Sequence, residues 1–247
     1  MLQRNNSNLV LPYTPTELKG EVRACFILGG VALGFTFDNE PTLNVALHKM
    51  NGDYEGLKYL VAHELYHSIQ TLGIQNFNAA KNLGTIPAPL NNSFQIILNV
   101  WAEGTATLVG NTANVKNPKW FSKFTQEEFH KNADRSRQNF ALMEALLYQA
   151  FNDPEASAEQ IYNIGFTIAY DQTLYYAGYE MAKVIEKYRD KKAVAAIIGK
   201  NPSTFFKLYL EICAENKEAK IFRFSKASET ILRKLLEQEN VKIVFDS

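Results

Sequence analysis

The segment His63-Glu64-Leu65-Tyr66-His67 constrains the fold of this chain more than any other. It follows the pattern H-E-x-x-H within a stretch of helical character, and residues four apart on a helix lie on the same face. The two histidines can therefore direct two imidazole nitrogens to one metal ion. Glu64 points about 100° round the helix from His63, within reach of a metal-bound water. This arrangement is typical of zinc hydrolases, most often peptidases.

The helix that carries this motif is predicted over about residues 54–72. Asp53 is a suitable N-cap, and Gly73 suits the position just beyond the C-terminal end. Gln70 lies one turn beyond His67. It is either a hydrogen-bond partner of that histidine or a solvated helix residue.

A catalytic zinc site needs a third protein ligand, with water in the fourth position. The pattern H-E-x-x-H-x-x-G-x-x-H is excluded, because Gln70 and Gly73 stand where it requires Gly and His. The best candidate is Glu103, the sole charge on a helix predicted over 92–109 that is apolar nearly all round. A buried carboxylate is costly unless it is paired or binds a metal. Glu103 therefore either completes the site or pairs with an Arg or Lys elsewhere.

The neighbours of Glu103 bear on this choice. Gly104 is small and would let its helix approach the H-E-x-x-H helix closely. Glu127 and Glu128 are poorer candidates, since Thr125 and Glu128 have the spacing of a capping box at the start of the next helix.

With His63, Glu64, His67 and Glu103, the chain resembles the gluzincin zinc peptidases, whose pattern is H-E-x-x-H followed by a Glu on a later helix. It is most similar to zinc-dependent proteases of bacterial type that carry H-E-L-x-H-x-x-Q and then E-G-x-A. The resemblance implies a Zn²⁺ cofactor held by the two histidines and Glu103. It also implies that Glu64 is the general base toward a zinc-activated water, and that the substrate is a peptide or protein.

The resemblance is specific over residues 61–70 and 101–107 and looser over 25–210. The departure is the gap of 35 residues between the second histidine and the glutamate, which is longer than in thermolysin-like enzymes. A loop predicted over 83–92 accounts for part of that gap.

The resemblance also implies an α+β, zincin-like fold. A small N-terminal mixed sheet would precede the H-E-x-x-H helix, and a mostly α-helical C-terminal lobe would follow. We expect a single metallopeptidase domain over 1–247 with two lobes, 1–73 and 74–247. A non-catalytic binding protein on this scaffold, and a zinc hydrolase of a non-peptide amide or ester, are the alternative functions.

A tyrosine completes the expected site. The element Tyr175-x-x-Gly178 resembles the gluzincin segment whose tyrosine hydroxyl stabilises the oxyanion. Tyr175 is the first candidate, with Tyr179 and Tyr176 behind it. The alternative is that all three lie at the edge of a packed core.

Two strands, 22–28 and 31–37, are predicted to form a hairpin around a tight glycine turn, with a third strand at 43–47. In the resembled fold an edge strand binds extended substrate, because its unpaired backbone groups are available to a peptide. We expect that edge at 42–47, unless the segment is part of an ordinary buried hairpin. Residues 38–41 form a loop, for which calcium binding is a weaker alternative.

The rest of the chain is predicted to be mainly helical. The expected elements are helices at 125–151, from Asp153-Pro154 onward, at 168–189, from Asn201 onward and at 225–239, and a last strand at 241–245.

The charges balance, with 26 Lys and Arg against 26 Asp and Glu, so nothing indicates a nucleic-acid partner. No apolar run reaches the roughly 18 residues of a membrane span, and the polar N-terminus is not a signal peptide. We expect a soluble protein, either cytoplasmic or exported with a signal removed. Cys25 and Cys213 either pair or stay free, and the sequence leaves the oligomeric state open.

Overall fold

The computed structural model describes residues 8–30, 32–37, 40–80 and 83–245. The structure is mostly helical with one small mixed sheet, as expected for an α+β chain. The strands are β1 (Arg23–Ile27), β2 (Gly34–Phe37) and β3 (Glu40–Ala46). The helices are α1 (Tyr54–Ala79), α2 (Ala88–Val109), α3 (Trp120–Asp134), α4 (Ser136–Asn152), α5 (Ala158–Phe166), α6 (Thr173–Arg189), α7 (Lys191–Ala195), α8 (Ser203–Glu215) and α9 (Lys226–Leu236). Short 3₁₀ helices cover Leu11–Tyr13, Leu47–Lys49, Thr112–Asn114 and Ile168–Tyr170.

The sheet has the order β1-β3-β2, so the predicted hairpin of the first two strands is wrong. β3 lies between them, parallel to β1 and antiparallel to β2. The prediction that 42–47 is a substrate-binding edge is also wrong, because both sides of β3 are hydrogen-bonded. The reason is burial: Leu43, Val45 and Ala46 are almost fully buried, which suits a central strand. The edge strands are therefore β1 and β2.

Several of these predictions fall partly outside the described residues. The polar N-terminal residues 1–7 lie outside them, as does position 31 of the predicted second strand. Residues 38 and 39 of the loop considered for calcium binding also lie outside the described residues, and residues 40 and 41 of that loop belong to β3.

Helix α1 begins where the sequence predicts and ends later. The Asp53 carboxylate accepts a hydrogen bond from Gly56 N at 2.8 Å, which confirms it as the N-cap. The helix then continues through Gly73 to Ala79, so the predicted C-terminal end is wrong. A Cβ on Gly73 would lie 2.4 Å from Ile198 Cγ2. The glycine therefore permits close contact with the turn that follows α7 and does not end the helix.

Helix α2 starts at Ala88 rather than at 92, and it is buried as predicted. Its closest neighbour at Gly104 is α6, not the H-E-x-x-H helix. A Cβ on Gly104 would lie 2.3 Å from the carbonyl carbon of Gly178, so the two backbones cross in contact. The close approach to α1 occurs instead at Gly110, where a Cβ would lie 2.7 Å from His63 Cβ.

Two helices that the sequence predicts as continuous are broken. The stretch 125–151 divides between α3 and α4 at Arg135, and the stretch 168–189 divides at Asp171 and Gln172, whose φ angles are 62° and 49°. The two breaks meet, because Arg135 Nη1 donates to Asp171 Oδ2 at 2.7 Å. A tertiary contact therefore joins the two interruptions.

Two predicted helix starts are also wrong. Thr125 does not cap a helix with Glu128: it lies inside α3, and its hydroxyl donates to the Phe121 carbonyl. Helix α5 begins after the Ser157 cap and not at Pro154.

The C-terminal segment contains α8 and α9 close to their predicted positions. Residues 241–245 do not form a strand: only a bridge between Gly84 and Val241 is present. The segment is held to α2 because Gln95 Nε2 donates to the Val244 carbonyl at 2.8 Å.

The two cysteines, Cys25 and Cys213, are free and do not pair. Among the described residues, no helix has the length and apolar character needed to cross a bilayer. The large helical core packs on one side of α1, and a smaller cluster fills the space between α1 and the sheet. The single domain with two lobes stays a prediction.

Candidate metal centre

Three potential metal ligands meet between α1 and α2. His63 and His67 are one turn apart on α1, and their Nε2 atoms are 3.1 Å apart. Glu103 Oε2, from α2, lies 3.1 Å from His67 Nε2 and 3.5 Å from His63 Nε2. In the described part of the chain, this is the one group of His, Cys, Asp and Glu that is close enough to hold a metal.

The donor set fits zinc in type and in spacing. Imidazole nitrogens and a carboxylate are zinc ligands, and each lies about 2.0–2.2 Å from the ion. Two such atoms on a tetrahedral ion are about 3.3 Å apart. The observed separations of 3.1, 3.1 and 3.5 Å agree with this value. The three side chains are thus placed to hold Zn²⁺ with only small movements.

Gln70 orients one of the histidines. His67 Nδ1–H donates to Gln70 Oε1 at 2.8 Å, which turns Nε2 toward Glu103. The amide nitrogen of Gln70 donates to the Ala102 carbonyl and to Thr105 Oγ1, so the side chain is fixed against α2. Of the two interpretations of Gln70, the hydrogen-bond partner is therefore confirmed.

The carboxylate and the imidazoles change one another's protonation. Burial alone would lower the pKa of His67, but the adjacent Glu103 carboxylate raises it to about 9. Burial would raise the pKa of Glu103, but the two imidazoles hold it well below its usual range. When no metal is bound, both shifts favour a Glu103 carboxylate that is paired with a protonated His67.

Glu64 lies beside these residues and is 7% exposed. Burial raises the pKa of its carboxyl, although the neighbouring histidines act in the opposite direction. Gly34 of β2 passes directly over it: a Cβ at that position would lie 2.5 Å from Glu64 Oε1. A larger residue at this position would therefore require the Glu64 side chain to move.

Of the three candidate tyrosines, only Tyr175 lines the cleft that holds the three ligands. Its ring stacks on His63, with centroids 6.4 Å apart and planes inclined by 4°. Burial, with the negative charge of Glu103, raises the pKa of Tyr175 well above its ordinary value, so the hydroxyl is neutral. Tyr179 and Tyr176 point elsewhere and both contact Phe129. For these two the core-edge interpretation is correct.

The cleft has a volume of about 530 Å³. β2 borders it on one side with Gly34, Phe35 and Thr36. Beyond the metal centre it continues between α2 and α5, where Asn92, Asn99, Glu159, Tyr162 and Phe166 are among the lining residues. The sequence did not predict that β2 and α5 line the cleft, because neither element carries a recognisable motif.

A scan against protein families matches residues 4–218 to the family described as "Putative zinc dependent peptidase (DUF5700)". The chain belongs to this family. The match covers most of the chain and includes the three potential ligands, Glu64 and Tyr175. No protein with a curated description and no solved structure matches the chain.

Proposed function

We propose that this member of the family is a gluzincin-like zinc peptidase in which His63, His67 and Glu103 hold Zn²⁺. The observation that carries the proposal is the spacing of the three ligand atoms, 3.1 to 3.5 Å, beside a buried glutamate in an open cleft. Zinc bound there supplies a Lewis acid that polarises the scissile carbonyl and acidifies a water molecule.

Glu64 acts as the general base. A carboxyl whose pKa is raised by burial is a stronger proton acceptor than an exposed one. Glu64 and Gly34 of β2 both line the cleft, so a substrate that enters between β2 and α1 passes beside this carboxyl. It takes a proton from the attacking water and then donates it to the leaving amine.

Tyr175 supplies a hydrogen-bond donor. Its hydroxyl is neutral at physiological pH, and its ring is held against His63. A donor aimed at the oxygen that becomes negative in the transition state typically contributes a few kcal/mol. Tyr175 takes this role toward the scissile carbonyl.

β2 offers the substrate a strand edge. It is paired with β3 on one side, and its residues Gly34, Phe35 and Thr36 line the cleft. An extended peptide can add to such an edge through backbone hydrogen bonds. This assigns to β2 the role that the sequence alone suggested for 42–47.

The substitution Glu64→Gln tests the mechanism. The variant should bind zinc as the wild type does, since Glu64 is not a ligand, and should hydrolyse peptides at least about 100-fold more slowly. Glu127→Gln, on the exposed surface of α3, is the matched control and should keep full activity. Zinc content and the cleavage rate of a mixed peptide library are the two readouts.

Full activity in Glu64→Gln would disprove this mechanism. A zinc-loaded wild type that cleaves no peptide would favour the alternatives instead. If such a protein hydrolysed non-peptide amides or esters, it would be a different kind of zinc hydrolase. If it hydrolysed none of these substrates, it would be a binding protein.

A further inference from the structure

The cleft extends well beyond the metal centre, and its far end has a consistent chemistry. A row of aromatic rings leads there from the site. Tyr175 contacts Phe166 with centroids 6.1 Å apart, and Phe166 stacks on Tyr162 at 5.3 Å. Tyr162 is 43% exposed, so the row ends at the surface of the cleft.

The same face of α5 carries a carboxylate. Glu159 lies three residues before Tyr162 and seven before Phe166, a spacing that places all three on one side of the helix. All three line the cleft. Within the described part of the chain, Glu159 makes no ion pair.

The opposite wall, on α2, presents oxygen acceptors. The amide nitrogen of Asn92 donates to the Ala156 carbonyl at 2.9 Å, and that of Asn99 donates to the Gln95 carbonyl at 2.9 Å. In each side chain one of the two amide N–H groups is used within the protein, while the carbonyl oxygen has no hydrogen-bond partner among the described residues and can accept from a ligand. Ile96 lies between them and is apolar.

No Lys or Arg is among the described residues that line the cleft. The far end therefore combines an aromatic wall, an apolar floor, carbonyl oxygens and a carboxylate without a basic partner. A lysine or arginine side chain matches this combination, since its stem packs on apolar and aromatic groups and its charged end needs acceptors.

We propose that this end of the cleft, formed by Glu159, Tyr162, Asn92 and Asn99, selects a basic residue in the substrate. The inference rests on the proposed peptidase function. An extended peptide advances about 3.3 Å per residue. Because the subsite lies two ring contacts beyond Tyr175, the basic residue is about two to four positions from the cleaved bond.

The test uses quenched fluorescent peptides that share one cleavable sequence. A single Lys, Gln or Glu is placed in turn at each of the four positions on either side of the bond. The zinc-loaded wild type should cleave the Lys peptide faster than the Gln peptide at one position in this range, and the Glu peptide slowest. Glu159→Gln should reduce the preference for Lys over Gln about fivefold, the upper range for an exposed ion pair.

Two further variants sharpen the result. Glu159→Lys should reverse the order of the Lys and Glu peptides. The matched controls Glu155→Gln and Glu155→Lys change the same charge four residues away, on an exposed residue outside the lining, and should leave the preference unchanged. Equal rates for all three peptides in the wild type, or a preference that Glu159→Gln and Glu159→Lys leave unaltered, would overturn the proposal.

Binding separates the two proposals from each other. Fluorescence anisotropy with zinc-loaded Glu64→Gln measures the affinity for the same peptides without turnover. Tighter binding of the Lys peptide, lost in Glu64→Gln/Glu159→Gln, would support the subsite even if the wild type cleaved nothing and the peptidase proposal failed. Equal affinities for the Lys, Gln and Glu peptides would overturn the subsite proposal even if the wild type cleaved these peptides.

Discussion

At the residue scale, the hydrogen bond between His67 and Gln70 decides which imidazole nitrogen faces Glu103. The glutamine is itself fixed by the Ala102 carbonyl and Thr105 on α2. A partner of this kind sets the tautomer and the ring orientation of a ligating histidine. It also joins the two helices that supply the ligands.

Replacement of this glutamine should weaken zinc binding. We expect Gln70→Leu to lower zinc affinity about 10- to 100-fold, because His67 loses the acceptor for its Nδ1–H. Competition with a chromophoric chelator measures the change. Gln149→Leu, on the exposed face of α4, is the control and should bind zinc as the wild type does. Equal affinities in the two variants would show that the hydrogen bond does not orient the ligand.

The protonation of His67 predicts a pH dependence. Glu103 raises the pKa of this histidine to about 9 in the metal-free protein, although burial opposes the shift. Zinc must displace the proton, so we expect about one proton released per zinc at pH 7 and weaker binding as the pH falls. Calorimetric titration in buffers of different ionisation enthalpy measures this number. A value near zero at pH 7 would contradict the ion pair.

The same shift affects the stability of the metal-free protein. The pKa of His67 is higher in the folded state than the usual value of about 6.5. Its proton therefore stabilises the fold fully below about pH 6.5. That contribution is lost as the pH rises toward 9.

At the element scale, the crossing of α2 and α6 at Gly104 and Gly178 places Glu103 and Tyr175 beside the same cleft. The two backbones touch at this point, so a methyl group on either glycine meets main chain that cannot move aside. Glu103 directly precedes Gly104, and Tyr175 lies one helical turn before Gly178. A change in the crossing therefore displaces both.

Gly104→Ala should disturb stability and metal binding together. We expect a loss of about 1–3 kcal/mol in the free energy of unfolding, typical of overpacking, and a lower zinc affinity. Gly165→Ala is the control: its new methyl would meet a Leu174 side-chain methyl, which can rotate away. Urea unfolding and zinc titration are the measurements. A Gly104→Ala variant as stable as Gly165→Ala would contradict the close crossing.

The sequence predicted most helices but not their interruptions. Periodicity and caps locate α1, α2, α8 and α9, because those signals are local. The breaks at Arg135 and at Asp171 carry neither Pro nor Gly. At these breaks Asp171 forms ion pairs with Arg135 and Lys131, contacts between distant residues that no local pattern reveals.

At the scale of the whole molecule, the sheet order and the cleft walls depend on contacts between distant parts of the chain. The placement of β3 between β1 and β2 is non-local, although the apolar content of Leu43 and Val45 favours a central strand. The potential metal ligands were recognisable because their chemistry requires particular residue types at particular spacings. Asn99 and Glu159 are ordinary polar residues in sequence, and only the fold brings them to the cleft.

Zinc should stabilise the molecule as one unit. Helix α1 contributes to both hydrophobic clusters, so we expect a single thermal transition. At a thousandfold excess over Kd, zinc should raise Tm by about 10 °C. Glu103→Gln should lose most of this shift. Two resolved transitions, of which zinc moves only one, would show that the two predicted lobes unfold separately.

Elemental mass spectrometry of protein purified without chelators shows whether His63, His67 and Glu103 hold zinc. We expect about one zinc per chain in the wild type and a large loss of zinc in His67→Ala and Glu103→Ala. A wild type without zinc, even after incubation with excess Zn²⁺, would contradict this expectation.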